Sequence, residues 1–69
     1  MKRIIEERKR RGWSQSELAR RAGMHNSTVS LIEHGRMTPY QSQLDKLAGA
    51  LAWPGDPTAL LEDADDVRA

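Results

Sequence analysis

Ser27, Thr28 and Ser30, bracketed by His25 and His34, are the side chains whose types best suit nucleophilic or metal chemistry, yet their spacing supports neither. A hydroxyl nucleophile needs a base within hydrogen-bond reach and a third group to orient that base. No such arrangement accompanies these hydroxyls. The two histidines stand nine residues apart on one short helix, not on a common face at bonding range, and no cysteine or third ligand joins them. We therefore expect no enzyme, no metal site and no cofactor. What the segment offers instead is a face. Val29, Ile32 and Glu33 share one side of a helix, and Asn26, Ser27, Ser30, Leu31 and His34 share the other. Short, mostly polar side chains are not what a buried helix face carries. Leu31 lies about 200° around the helix from Val29 and should be exposed.

The elements that must hold this face can be read from their punctuation. Ser14 followed by Glu17 is a capping box, in which each side chain satisfies a helix N-terminal N–H, so a helix starts at about Gln15. Leu18, Ala19 and Ala22 form its buried stripe, and Gly23 supplies a left-handed stop. The second helix follows Met24 and stops at Gly35. Two short helices joined by a tight turn are the sequence form of a helix-turn-helix.

Three more helices are expected around this pair. Met1 to Arg11 has helical propensity, an apolar stripe of Ile4 and Ile5, and Gly12 as its stop. Arg8 lies one turn beyond Ile4, at the edge of the core, where a guanidinium needs an anion. Glu33 is in the mirror position on the inner side of the third helix, and the two are expected to pair. Thr38-Pro39-Tyr40-Gln41 opens the fourth helix, with Pro39 at the first helical position and Thr38 to Gln41 spaced as a capping box. Leu44, Leu47, Ala48 and Leu51 are its stripe. Trp53-Pro54-Gly55 breaks it, and Asp56-Pro57 caps a short fifth helix bearing Leu60 and Leu61. Trp13 and Trp53, at helix boundaries, are core or interface anchors.

The 69 residues suffice for one small all-α domain, residues 1–62, with an acidic frayed tail at 63–69. Without cysteine there is no disulfide framework. The longest uncharged run, Leu47 to Gly55, is too short to span a bilayer, so we expect a cytoplasmic protein with no membrane partner. The net charge of +1 hides a split, because residues 1–36 hold nine Lys/Arg against four Glu and residues 37–69 hold two against six. A basic half favours a polyanion partner. Solvated helix faces explain Arg10, Arg11, Arg20 and Arg21 equally well.

From about Ile5 to Leu61 the chain resembles the phage repressor/Cro-like helix-turn-helix family, also called the xenobiotic-response-element family. The resemblance is carried by Gly12, Ser14-Gln15, Glu17-Leu18-Ala19, Gly23, Thr28-Val29-Ser30, Ile32-Glu33, Gly35 and Pro39. It implies a compact five-helix domain and a transcriptional regulator, most plainly a repressor, that binds double-stranded DNA with its third helix in the major groove. Asn26, Ser27 and Leu31 match the base-facing positions, with Ser30 flanking. Asn can pair with an adenine edge, Ser can donate or accept, and Leu31 can meet a thymine methyl. Ser14, Gln15, Arg36, Thr38, Tyr40 and Gln41 match positions that touch the DNA backbone, and Gln15 also braces the third helix. Relatives usually bind inverted repeats as dimers, for which Trp53, Leu60 and Leu61 are the candidate interface residues here, with binding as a monomer the alternative. We expect no small-molecule ligand, since 69 residues hold the DNA-binding domain and little more. Within the family the alternative is an antitoxin that autoregulates its operon; outside it, a protein–protein adaptor on the same scaffold. One departure matters: His25 stands where the family usually caps the third helix with Ser or Thr. Were Asn26 the cap, it would lose its base-reading role, while Ser27 and Leu31 would keep theirs.

Overall fold

In a computed structural model that describes residues 1–63, the chain forms α1 (Arg3–Arg10), α2 (Gln15–Ala22), α3 (Asn26–Glu33) and α4 (Gln41–Leu51), followed by a 3-10 turn (Pro57–Leu61). Ile4 of α1, Leu18 of α2, Val29 and Ile32 of α3, and Leu47 and Leu51 of α4 meet in one core, each at most 1% exposed. Each such side chain contributes about 1.5–3 kcal/mol by leaving water. Among the described residues no helix is long and apolar enough to cross a membrane.

The expected fifth helix is a single 3-10 turn. Asp56 Oδ1 accepts from the Thr58 N–H at 3.0 Å, and Pro57 needs no partner at the first position. Five residues close few i→i+4 bonds, and the tighter i→i+3 winding gives Ala59 N–H the Asp56 carbonyl and Glu62 N–H the Ala59 carbonyl. The turn then returns the chain to α1. Arg3 N–H donates to Glu62 O at 2.7 Å, and Lys2 bridges Asp63. Asp63, the first residue of the expected frayed tail, is therefore tethered together with Glu62. The rest of the expected tail, residues 64–69, lies outside the described residues.

The start of α4 also differs from expectation. Pro39 is buried in the approach to the helix rather than at its first position, and Tyr40, not Thr38, is the N-cap residue. Gln43 Oε1 accepts from Tyr40 N–H at 2.9 Å, the same backward bond that Gln41 would have given Thr38, displaced by two residues.

All four α-helices end alike. Gly12, Gly23, Gly35 and Ala52 adopt positive φ, and the next residue's N–H reaches back five residues: Trp13 to Arg8, Met24 to Ala19, Arg36 to Leu31, Trp53 to Ala48. Ala52, at φ 51°, has the Cβ that the three glycines lack. Left-handed backbone costs an alanine about 1–2 kcal/mol, while glycine costs about 0.4–1 kcal/mol through a freer unfolded chain. The first term is larger. Ala52→Gly is expected to raise unfolding free energy by about 0.5 kcal/mol in a denaturant titration.

Candidate nucleic-acid interface

The site rests on a buried network. Arg8 Nε donates to Glu33 Oε2 at 2.8 Å and Arg8 Nη2 to Glu33 Oε1 at 3.1 Å, while Arg8 Nη1 donates to the Trp13 carbonyl at 2.9 Å. Gln15 Nε2 adds a third donor to Glu33, at 2.7 Å to Oε1. The guanidinium fork matches the carboxylate two to two, which is the strong form of such a pair. Glu33 is 4% exposed and Arg8 9%. Four elements are thereby joined: α1, the loop after it, the first residue of α2 and the last of α3.

Gln15 is thus positioned twice over. It opens α2 beside Ser14, whose Oγ accepts from Glu17 N–H at 3.1 Å, and its amide is held against α3 by Glu33. One Nε2 hydrogen remains for another acceptor. The reciprocal half of the expected capping box is absent, because the Glu17 carboxylate is taken by Arg20 and by Arg21, the latter at 2.6 Å. The Arg20 hydrogen bond, joined by that of Arg21, holds the Glu17 carboxyl below its ordinary value.

At α3 the N-cap is His25, which makes no side-chain cap bond, and Asn26 is the first helical residue. Asn26 is exposed, as are Ser27 and Leu31, the last at 42%. Ser30 is half-buried, and its carbonyl lies 2.8 Å from His34 Nδ1. A carbonyl only accepts, so Nδ1 carries the proton and one side of that imidazole is occupied. Asn26, Ser27, Ser30 and Leu31 share one arc about 140° wide, at 100° per residue, and His34, the C-cap residue, continues it. No Asp, Glu, Lys or Arg stands exposed on it, since Glu33 is buried behind.

Backbone-contacting positions fare unequally. Arg36, just beyond the Gly35 stop, is exposed and makes no ion pair among the described residues. Thr38 and Tyr40 are exposed, Tyr40 at 73%. Gln41 gives its amide to Asp45 at 3.0 Å. Four other arginines, on α1, α2 and the loop between them, are engaged. Arg10 pairs with Glu6 and Glu7, Arg11 with Glu7, and Arg20 and Arg21 with Glu17. Arg21 also stacks 4.4 Å from the centroid of Trp13.

Two features escape a reading of the sequence. Glu7, 5% exposed, is a buried acid held by Arg10 and Arg11, and Arg11 Nη2 also caps α4 through the Leu51 carbonyl. The i, i+3 and i, i+4 spacing of Glu7 to both arginines was the available signal. The second is a correction. Leu60 is fully buried in the core because the 3-10 turn folds back onto α1 and α4, so, against the expectation for a dimer contact, its side chain has no exposed surface to offer a partner. Trp53 and Leu61 stay half-buried. Trp53 Nε1 donates to Asp56 O, and the Arg3 guanidinium stands 5.9 Å from its ring centroid.

Residues 4–52 match a family model described as helix-turn-helix. A protein of Neisseria meningitidis serogroup B, named a Neisseria hypothetical transcription factor, is 44% identical over 41 residues, 59% of this chain and 39% of that protein. The present chain therefore matches well under half the length of that relative. The crystal structure of hypothetical transcription factor NHTF from Neisseria is similar at a TM-score of 0.77 and 33% identity, covering 93% of this chain and 70% of that one. With its motif residues, its fold and a family match spanning α1 to the end of α4, the chain belongs to the Cro/C1-type helix-turn-helix family.

Proposed function

We propose that this chain is a DNA-binding transcriptional regulator that places α3 in the major groove and reads base edges with Asn26, Ser27 and Leu31, Ser30 flanking them. The observation that carries this reading is the uncharged, exposed arc of α3, held rigid from behind by the Arg8–Glu33–Gln15 network. A helix needed only for the core would not present an exposed leucine among short hydrogen-bonding side chains beside an Arg36 that makes no ion pair among the described residues. Gln15, the N–H groups at the Ser14 end of α2, and Arg36 grip phosphate. Thr38, Tyr40 and Gln41 line the approach to the backbone. Occlusion of a promoter is the simplest regulatory consequence. Two copies on an inverted repeat would meet through Trp53 and Leu61.

A salt titration tests the reading. Binding of the full chain to random duplex should weaken linearly in log affinity against log salt, with a slope near −0.9 per neutralised phosphate. Arg36→Ala should make that slope shallower by about 0.9, whereas neutralising Arg20, already paired with Glu17, should change it less. Affinity independent of salt, or no binding, would contradict the proposal.

A further inference from the structure

We infer that, resting on this DNA reading, the base step facing Leu31 is selected by a C5-methyl group on a pyrimidine, whether thymine or 5-methylcytosine, rather than by the identity of the base pair. Three observations carry it. Leu31 is 42% exposed although the other large aliphatic residues of α3, Val29 and Ile32, are 0% and 1% exposed, so its placement outward is not a shortage of room in the core pattern. The exposed arc holds no Arg, Lys, Asp or Glu, the side chains that lock onto guanine or cytosine edges, because the sole charge of α3 is Glu33, buried and committed to Arg8 and Gln15. Ser27, one turn before Leu31, carries a hydroxyl that donates or accepts, and so accommodates the O4 of thymine and the N4 amine of cytosine alike.

The chemistry follows from these groups. In the major groove thymine and 5-methylcytosine present the same methyl, while uracil and cytosine present a hydrogen. A leucine δ-methyl laid against that methyl removes apolar surface from water on both sides. With no Asp, Glu, Lys or Arg on the arc to favour one base pair, the contact makes affinity depend on the methylation state of the duplex at one position.

The experiment uses the full chain and a duplex selected from a random pool, with each pyrimidine replaced in turn: thymine by uracil, cytosine by 5-methylcytosine. At one position the methylated base should bind about fourfold tighter than its unmethylated counterpart. Leu31→Ala should abolish that contrast, and Leu31→Met, which keeps an apolar tip, should retain it. At that position 5-methylcytosine should bind as tightly as thymine, whereas 5-methylcytosine binding no better than cytosine shows selection by the base pair and overturns the inference. Specific binding of the native chain with no methyl contrast anywhere, or a contrast that persists in Leu31→Ala, overturns the inference and leaves the DNA reading standing. Failure to bind any duplex in a salt-dependent way overturns both.

Discussion

Glu33→Ala is expected to lower the unfolding free energy by about 3–5 kcal/mol. The substitution strands Arg8, a guanidinium 9% exposed with two of its three donor bonds on the deleted carboxylate, and it releases Gln15 as well. Desolvating an unpaired charge is what makes the loss large; the attraction of the pair itself is largely offset by the cost of burying it. Arg8→Met combined with Glu33→Leu should therefore be far milder than either single loss, within about 1–2 kcal/mol of the native chain, because no charge is then left buried. In a domain of this size 1 kcal/mol corresponds to roughly 4–8 °C, so the single substitution should shift the melting midpoint by more than about 12 °C. A shift within the error of the melt would mean that water, not the network, satisfies Arg8.

The second large effect falls on recognition and not on stability. Asn26→Ala with Ser27→Ala should weaken binding to a selected duplex by about 1–3 kcal/mol for each base-edge hydrogen bond removed, while binding to a scrambled duplex stays nearly constant. Both residues are exposed and neither caps α3, so the fold should lose no more than about 0.5 kcal/mol. Equal weakening on both duplexes would show that these side chains touch phosphate, or that another face binds.

Much of the fold was legible because local rules and core packing agreed. The stripes of α2 and α4 turned inward, and Gly12, Gly23 and Gly35 ended their helices where a left-handed residue was expected. The Arg8–Glu33 meeting followed from two charges placed on inward faces by helical period alone. What could not be read is where tertiary contacts choose between locally similar options. Thr38 and Tyr40 each precede a glutamine by three residues, and only the burial of Pro39 decides between them. Glu17 has both a backbone donor and two arginines within reach, and the arginines win. Leu60 and Leu61 are adjacent and alike; the winding of the 3-10 turn sends the first into the core. At the candidate site, the His25 cap settles the start of α3 at Asn26, an assignment that sequence left open between two residues. The engagement of Gln41 by Asp45 and of four arginines by neighbouring glutamates depends on side-chain geometry, and it leaves Arg36 as an accessible cation just beyond the reading helix.

Whether the exposed arc of α3 meets DNA is decided by amide chemical-shift mapping during titration of the full chain with a selected duplex. The largest changes are expected at Asn26 to Leu31, with Gln15 and Arg36 next and the 3-10 turn Pro57–Leu61 nearly silent. Changes concentrated on α1 or on the 3-10 turn, with α3 unmoved, would contradict a reading role for that helix.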